Sequence, residues 1–322
     1  MDYKLDLKDK KLLYELDLNS RRSVNEIAKK ISLSKTATAN RIDSLQKEGI
    51  IKQFHTVIDT GKLGYIPFRL LIHLQNTSPQ KELEIIDFLK NQNNVTWIVS
   101  IEGEYDLGAL ILTKSIEEMN KLWEDINKKY VNHINKKLLT IMTCVHYFSR
   151  AYLIKREKNE YEILTLTPPT TPKIDKKDLE ILQLLAHNAR MLIIDIASKI
   201  NLTPKTVIEK IKRLEKEKII VGYKTVFNLE KMGYQYYKVH FMLNNLTFEK
   251  MVNFKAYLKQ NPNVIYEDEV LGGDDIEIEI QINNSQELRG IIDEIRLKFS
   301  DIIKDYKILE YYKEHKYLFF PI

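Results

Sequence analysis

Small polar and basic side chains follow a tight turn near residue 33, and a similar set occurs again in the second half of the chain. In the first copy they are Ser34, Lys35, Thr36, Asn40, Arg41 and Ser44, and in the second they are Thr203, Lys205, Thr206, Glu209, Lys210 and Arg213. Lysine and arginine suit phosphate or guanine, whereas asparagine and threonine read base edges. A serine or threonine that begins a helix also leaves free amides for a phosphate. The residue types therefore indicate nucleic-acid recognition at two places.

The two sets belong to a tandem repeat of the chain. A shift of 169 residues places Leu5–Tyr65 on Ile174–Tyr234 without a gap. The identical pairs include Asp6/Asp175, Asp9/Asp178, Arg21/Arg190, Leu45/Leu214 and Gly64-Tyr65/Gly233-Tyr234. At this period the repeated unit is a set of whole domains rather than a solenoid repeat. Two copies of one module in a chain can imitate a symmetric dimer.

Each repeat begins with a pattern of three short helices and a strand. In the first repeat Ser23 and Glu26 form a capping-box pattern before the second helix, and Ser34 is the cap of the third. In the second repeat Thr203 is that cap, and Pro204 occupies the first helical position. This order predicts a winged helix-turn-helix, whose third helix protrudes and fits the major groove of duplex DNA. Glu209 replaces Asn40, so we expect the second head to prefer a different half-site or to bind more weakly.

The rest of each repeat alternates strands and helices in the order βαββαβ, which predicts a ferredoxin-like unit. In the first repeat the predicted strands are Phe68–Gln75, Val95–Glu102, Leu107–Thr113 and Leu138–Tyr147. The fold class is therefore α+β, with two winged helix-turn-helix domains and two βαββαβ domains in tandem. The predicted boundaries are 1–62 and 63–156 for the first repeat, 157–172 for a Pro/Thr-rich linker, and 173–231 and 232–322 for the second repeat.

The strands of the two βαββαβ units leave different open faces. The second unit should expose Lys238, His240, Met242, Glu277, Glu279 and Gln281, and the first Arg69, Leu71, His73, Gly108, Leu110 and Leu112. An apolar sheet face needs a cover. We therefore predict that the first open face is buried against a second unit, within the chain or across a homodimer. For Glu277 and Glu279 a solvated face is the alternative.

Composition limits the class of protein. The 322 residues carry a formal net charge of +5, with 44% hydrophobic and 30% charged residues. The positive charge is concentrated in the two N-terminal segments of the repeats, as expected for contact with a polyanion. Two solvated helical faces are the alternative. No apolar run reaches the ~18 residues of a membrane span, and the N-terminus lacks a signal-peptide pattern. We therefore expect a cytoplasmic protein without a membrane partner.

Residues that could support catalysis or bind a metal are few. The single cysteine, Cys144, excludes an internal disulfide and a cysteine zinc site, and its neighbours Thr143 and Val145 predict a strand core position. The seven histidines show neither metal-ligand spacing nor a catalytic grouping. We accordingly predict no catalytic residue, no metal and no cofactor.

Several motifs of the first repeat resemble one family. They are Asp6-x-x-Asp9, Arg21, Glu26-Ile27-Ala28, Leu33-Ser34, Arg41-Ile42, Leu45, Gly49-Ile50-Ile51 and Gly103-Glu104-Tyr105-Asp106. Together, in this order and spacing, they resemble the leucine-responsive regulator (Lrp/AsnC) family, including the Gly-x-Tyr-Asp turn of its RAM sensor domain. The resemblance covers nearly the whole chain, twice. It implies a DNA-binding transcription regulator that dimerises through its sensor domains and often senses an amino acid.

The resemblance also implies an effector site at the Gly-x-Tyr-Asp turns. Gly103, Tyr105 and Asp106 would form it in the first sensor, and Gly272, Asp274 and Asp275 in the second. The glycine amides would bind a carboxylate and the aspartates an ammonium group. Glycines at such turns also serve backbone geometry alone, which is the structural alternative. The second sensor departs from the pattern, and we expect it to bind a different ligand or none.

Three other readings remain open on the sequence alone. A winged helix also serves protein contacts in some proteins. Sirohaem decarboxylases resemble this family in fold and occur as fused pairs, but their His-Asn-Tyr and Asn-Leu-Trp-Phe type motifs are absent: the corresponding strands read Val95-Thr96-Trp97-Ile98 and Val264-Ile265-Tyr266-Glu267. An architectural protein that coats DNA without choosing sequence is the third reading, against which Asn40 argues as a base-reading side chain.

Overall fold

The computed structural model describes residues 4–156, 162–165, 173–318 and 320–321. The first repeat contains α1 (Leu7–Leu18), α2 (Val24–Ile31), α3 (Lys35–Lys47), β1 (Ile51–Ile58), β2 (Ile66–Leu74), α4 (Pro79–Lys90), β3 (Val95–Glu102), β4 (Leu107–Thr113), α5 (Ile116–Tyr130) and β5 (Ile134–Phe148), followed by β6 (Glu162–Thr165). The second contains α6 (Lys176–His187), α7 (Ile193–Ile200), α8 (Pro204–Lys216), β7 (Ile220–Phe227), β8 (Gln235–Leu243), α9 (Phe248–Gln260), β9 (Val264–Leu271), β10 (Ile276–Ile282), α10 (Ser285–Lys298) and β11 (Ile303–Tyr317). The predicted α+β class and the order of elements in each repeat are confirmed.

The caps predicted for the short helices are present. The Ser23 hydroxyl accepts from the Glu26 amide at 3.2 Å, and the Glu26 carboxylate accepts from the Ser23 amide at 3.0 Å. Ser34 and Thr203 begin α3 and α8, and each hydroxyl accepts one amide hydrogen bond from its own helix. These bonds satisfy donors that a helix start otherwise leaves unpaired. The local sequence therefore determines where both third helices begin.

The helix-turn-helix halves, here called the heads, share one hydrophobic core. Leu12 and Leu16 of α1 and Ile181 and Leu185 of α6 belong to the same buried cluster. Strand β1 pairs antiparallel with β7, with Phe54 opposite Thr225. The predicted wing strand of each head therefore pairs with the strand of the other head. The two heads pack as one unit, because separating them would expose this common core to water.

Hydrogen bonds between the heads follow a pseudo-twofold axis. The Thr56 hydroxyl donates to the Leu185 carbonyl at 2.9 Å, and the matched Thr225 hydroxyl donates to the Leu16 carbonyl at 2.9 Å. The Ala189 amide donates to the Phe54 carbonyl, and the Ser20 amide to the Tyr223 carbonyl. Each bond has its counterpart 169 residues away. The repeats therefore imitate a symmetric dimer within one chain.

The two βαββαβ units join into a closed ring of eight strands, here called the barrel. Its order is β2-β4-β3-β11-β8-β10-β9-β5, and β5 closes the ring by pairing with β2. Helices α4 and α5 cover one side of the barrel and α9 and α10 the other. The open faces of both units therefore turn toward each other inside the ring. Intrachain burial is confirmed, and the solvated face considered for Glu277 and Glu279 is wrong, since their exposures are 0% and 8%.

The long strands β5 and β11 make this closure possible. The first half of β5 pairs with β2 of its own repeat, and the second half pairs with β9 of the other. Strand β11 does the same with β8 and β3. The sequence predicted Leu138–Tyr147 for β5, whereas the strand spans Ile134–Phe148. Strand β11 continues past Glu310, where its pairing with β8 ends, because its second half pairs with β3 of the other repeat.

Two further expectations are corrected. Residues 162–165 of the predicted linker form β6, which pairs with the end of β5; the remainder of that segment lies outside the described residues. Cys144 is half-buried on the outer face of β5 and is not a core residue, because strand alternation turns its neighbour Val145 inward instead. Over the described ranges, no helix combines the length and apolar character needed to cross a membrane.

Candidate nucleic-acid interface and barrel interior

The outward side chains of the third helices divide into two groups. Those with exposed side chains are Ser34, Lys35, Thr36, Asn40 and Ser44 on the first head, and Thr203, Lys205 and Glu209 on the second, with Thr206 half-buried. Thr38, Ile42 and Leu45 anchor α3 from its inner side, as Val207, Ile211 and Leu214 anchor α8. Each third helix therefore exposes a row of polar side chains, while its buried residues fix it to the core of the heads.

The second group is held by carboxylates of the first helices. The Arg41 guanidinium donates to Asp6 at 2.9 Å and to Asp9 at 2.6 Å. The matched Lys210 ammonium donates to Asp175 at 2.6 Å and to Asp178 at 3.1 Å, and Arg213 also pairs with Asp178. These three cations therefore attach each third helix to the first helix of its own head, and the exposed group is left to face a ligand.

The barrel interior contains a network of buried charges that joins the two repeats. Arg69 of β2 forms a bidentate ion pair with Glu277 of β10. Lys238 of β8 contacts Asp268, and lies 3.2 Å from both Glu277 and Glu279. Burial opposes the charged form of Glu277, but Arg69 and Lys238 outweigh it and hold its pKa below the usual value. In Glu279 burial dominates and raises the pKa.

A cavity of about 90 Å³ lies beside this network, inside the ring. Its lining residues include the aromatic side chains of Trp97, Tyr147, Tyr236, Tyr266, Tyr311 and Tyr317. Among the described residues, the Tyr311 hydroxyl and the Arg69 Nε find no hydrogen-bond partner. Glu279 and Glu314 also line the cavity, and burial raises the pKa of both carboxyls. The cavity thus brings two unpaired donors and two carboxyl groups to one small space.

The turns predicted to bind an effector lie at the edge of the barrel, outside this cavity. The Asp106 carboxylate accepts from the Leu74 amide at 2.6 Å, and the matched Asp275 accepts from the Leu243 amide at 2.7 Å. Asp274 lies 3.0 Å from His240. The three aspartates therefore have structural partners within the fold.

Backbone geometry alone also explains why glycine occupies these turns. Gly103 has φ +140°, and a Cβ there would lie 3.0 Å from the Leu309 side chain. Gly272 has φ +84°. Both conformations favour glycine over other residues. Tyr105 is buried in the barrel core. Effector binding at these turns stays a prediction, with the structural alternative strengthened.

A second buried charge cluster, which the sequence did not indicate, joins the barrel to the heads. Asp17 at the end of α1 accepts from the Arg150 amide at 2.8 Å and pairs with the Arg150 guanidinium. Lys224 of β7 lies 3.5 Å from the same carboxylate, and Arg150 Nε donates to Gln281 of β10 at 2.9 Å. Burial alone would raise the pKa of Asp17, but Lys224 and Arg150 hold it below the usual value. This cluster connects both heads to the second sensor.

His55 of β1 lies beside that cluster, and its burial predicts acid sensitivity. Burial, with Lys224 and Arg150 nearby, lowers the pKa of His55 to about 3. In the unfolded chain the imidazole takes up a proton near pH 6.5, whereas the folded chain resists it. The contribution of His55 to the free energy of unfolding should therefore fall by about 1.4 kcal/mol for each pH unit between 6.5 and about 3. Denaturant titrations of the protein and of His55→Gln check this: the difference between the two curves isolates His55, and equal slopes would contradict the assignment.

Comparison with known proteins follows the same division into repeats. A winged helix-turn-helix DNA-binding model matches residues 5–52 and again residues 174–221. The HTH-type transcriptional regulator Ptr1 of Methanocaldococcus jannaschii is 31% identical over 118 residues, covering 36% of this chain and 78% of Ptr1. FL11, an HTH-type transcriptional regulator of Pyrococcus horikoshii, is 30% identical over 116 residues, covering 36% of this chain and 76% of FL11. Each relative therefore corresponds to about one repeat.

The tandem arrangement as a whole also has a match among solved structures. The siroheme decarboxylase NirDL aligns over 98% of this chain and 94% of its own, with a TM-score of 0.63 and 13% sequence identity. At that identity the match shows a shared fold. The fold and the two matched heads define a winged helix-turn-helix DNA-binding protein. The chain belongs to the Lrp/AsnC family of HTH-type transcriptional regulators, in a form that carries the regulator module twice.

Proposed function

We propose that this chain is a sequence-specific DNA-binding transcription regulator that reads two half-sites with the two heads of one chain. The observation that carries the proposal is the pair of third helices fixed on a common core. The exposed residues Lys35, Thr36, Asn40 and Ser44 on α3, and Thr203, Lys205, Thr206 and Glu209 on α8, are the proposed DNA contacts. Arg41, Lys210 and Arg213 support them by holding the helices, and their outer edges remain available to phosphates.

The pairing of the heads supports recognition of a two-part operator. Strands β1 and β7 and the shared core fix the distance between α3 and α8. Twofold-related recognition helices bind half-sites separated by about one DNA turn or a multiple of it. Asn40 in one head and Glu209 in the other make the two heads chemically unequal. The proposed operator is therefore a pair of similar but unequal half-sites.

A binding titration on DNA from the chain's own promoter tests this proposal. Lys35→Ala should weaken binding to all sequences and reduce the salt slope by about 1, because a phosphate contact is lost. Asn40→Ala should cost about 1–3 kcal/mol on the operator and relax the choice of one base. Lys128→Ala, an equal charge change on α5 of the barrel, is the control and should leave both unchanged. If all three variants bind like the original protein, α3 does not contact DNA.

The second part of the proposal is a small effector, such as an amino acid. The barrel cavity supports it, because the unpaired Tyr311 hydroxyl and Arg69 Nε can donate to a carboxylate, while Glu279 or Glu314 can accept an ammonium group. The turns at Gly103 and Gly272 are the other proposed place. Repeating the DNA titration with each of the twenty amino acids tests whether any changes the affinity. Further assembly of the chain into homo-oligomers also belongs to this proposal.

Sirohaem decarboxylation is the second candidate function, because NirDL shares the tandem fold. Two observations support the regulator instead. The barrel cavity of about 90 Å³ is small beside the ~300–1,000 Å³ of typical small-molecule and cofactor pockets. The third helices also carry exposed polar side chains of the kinds that contact DNA. A tetrapyrrole absorbance band on the purified protein would favour the enzyme, whereas equal affinity for random and promoter DNA would favour an architectural protein.

A further inference from the structure

A cluster of potential metal ligands lies on the outer surface of the barrel, outside the cavity. It consists of Cys144 and His146 on β5 and Glu269 on β9, and one potential ligand atom from each lies within 4.8 Å of the others. Glu162 on β6 adjoins it through His146. The four residues come from three neighbouring strands, two from the first repeat and one from the second.

Strand geometry explains why these side chains meet. Cys144 and His146 are two residues apart on β5, so they point to the same face, while Val145 between them points into the barrel. Glu269 is the direct cross-strand partner of Cys144 in the β5–β9 ladder. Directly opposed residues on one face have neighbouring side chains. The Cys-x-His spacing therefore acts as a ligand pair only once β9 lies beside β5.

Two of the three separations between potential ligand atoms match those of a tetrahedral zinc site, and the third lies within 4.8 Å. The Cys144 sulfur lies 3.4 Å from His146 Nε2, and that nitrogen lies 3.6 Å from Glu269 Oε1. Zinc bond lengths of about 2.3 Å to sulfur and about 2.0–2.2 Å to nitrogen and oxygen predict ligand separations of roughly 3.4–3.6 Å in a tetrahedron. Three protein ligands leave a fourth position for water.

A second carboxylate fixes the histidine in a ligand orientation. His146 Nδ1 lies 2.5 Å from Glu162 Oε1, and Nε2 faces Cys144 and Glu269. Such a carboxylate–histidine pair is the usual support of a metal-bound imidazole. Glu162 is itself held by Lys259 of α9. The orientation of His146 is an observation independent of the cysteine.

Lys255 of α9 competes for the same cluster and must be taken into account. Its ammonium pairs with Glu269 and lies 3.3 Å from the buried Glu267. If Glu269 turned one oxygen to a metal, Lys255 would keep Glu267 as its partner. The cation therefore lowers the expected affinity without occupying the ligand positions of Cys144 or His146.

The pseudo-twofold axis supplies an internal comparison. The positions matched to Cys144, His146 and Glu269 by the 169-residue shift are Lys313, His315 and Ser100. There the His315 Nε2 lies 2.8 Å from the Ser100 hydroxyl. A lysine and a serine in place of the cysteine and the glutamate remove two of the three ligands. The ligand set is therefore present on one side of the barrel only.

We propose that Cys144, His146 and Glu269 form a zinc-binding site at the seam where the first sensor's β5 meets the second sensor's β9. The mixed sulfur, nitrogen and oxygen donors suit Zn²⁺, a borderline-soft ion that accepts all three. The bound ion would join the two repeats across this seam. The site is separate from the proposed DNA contacts, so it can be tested whether or not the chain binds DNA.

Titration of tag-free, metal-depleted full-length protein with Co²⁺ tests the proposal, because a cysteine–cobalt bond gives a charge-transfer absorbance band. We expect one Co²⁺ per chain, a band that Zn²⁺ abolishes, and a higher melting temperature with Zn²⁺. The band should disappear in Cys144→Ser and strongly weaken in His146→Gln. His315→Gln, the matched histidine of the other repeat, should keep it in full.

The variants also define the contrary results. The proposal is overturned if the protein gives no band, if the band survives in Cys144→Ser, or if His315→Gln loses it as His146→Gln does. Far-UV circular dichroism and melting without metal show whether each variant is folded. Should Cys144→Ser not fold, Glu269→Gln takes its place, and an unchanged cobalt affinity in that folded variant counts against the site.

Discussion

Asp17→Asn should destabilise the protein by about 3–5 kcal/mol, because it leaves Arg150 and Lys224 as buried cations without their carboxylate. Asp17 and Lys224 are 0% and 2% exposed, so water cannot replace the lost charge. A typical domain is stable by only about 5–15 kcal/mol. The midpoint of urea unfolding at neutral pH checks the expectation.

A matched control is available on the surface of the same head. Asp43 is exposed on α3, and Asp43→Asn makes the same chemical change. It should alter the free energy of unfolding by less than about 0.5 kcal/mol. Similar losses in the two variants would show that the Asp17 cluster does not hold the heads to the barrel. The carboxylate's contribution should also vanish in acid, as the pH falls below about 4 and through the lowered pKa of Asp17.

Arg69→Met should cost a similar amount, about 3–5 kcal/mol, because it removes a cation from an interior that also contains Glu277, Asp268 and Glu279. Lys238 alone then faces three carboxyl groups. The double variant Arg69→Met/Glu277→Leu removes one charge of each sign. Buried ion pairs replaced by apolar residues are often neutral in stability. We therefore expect the double variant to be more stable than Arg69→Met.

Chemical unfolding of the two single variants and the double variant forms a double-mutant cycle. Adjacent groups in one network should give a coupling energy of about 0.5–3 kcal/mol or more. Strictly additive losses would mean that Arg69 and Glu277 do not act as a pair. The result bears on the intrachain barrel itself, since Arg69 belongs to the first repeat and Glu277 to the second.

Local features of the fold were predictable from the sequence. Ser23, Glu26, Ser34 and Thr203 determine helix starts through contacts within three residues, so their caps are visible in the sequence. Strand alternation in β10 identified the face that carries Glu277 and Glu279. The pattern could not show what covers that face, because the partner lies more than 160 residues away along the chain. Only the pairing of β5 with β9 and of β11 with β3 shows that the cover is the other repeat.

In the candidate sites, too, the sequence predicted what depends on neighbouring residues and missed what depends on contacts distant along the chain. The exposed residues of α3 and α8 were recognised from helical spacing, since their own helix decides which way they point. The ion pairs of Arg41 and Lys210 could not be recognised in this way, because the carboxylates that bind them belong to the first helix of each head. Asp17, Arg150 and Lys224 lie far apart in sequence and meet only in the folded protein. The sequence predicted no metal site, and the Cys144-x-His146 pair was not recognised, because Glu269 comes from β9 and lies beside the pair only in the folded protein.

The pairing of both heads within one chain has a consequence for how the regulator responds to dilution. A dimer made of two chains separates when it becomes scarce, so the fraction of paired heads falls with concentration. Here each head meets its counterpart within one polypeptide, at an effective concentration set by the covalent connection. Pairing of the two heads should therefore add no concentration threshold of its own to the occupancy of a promoter.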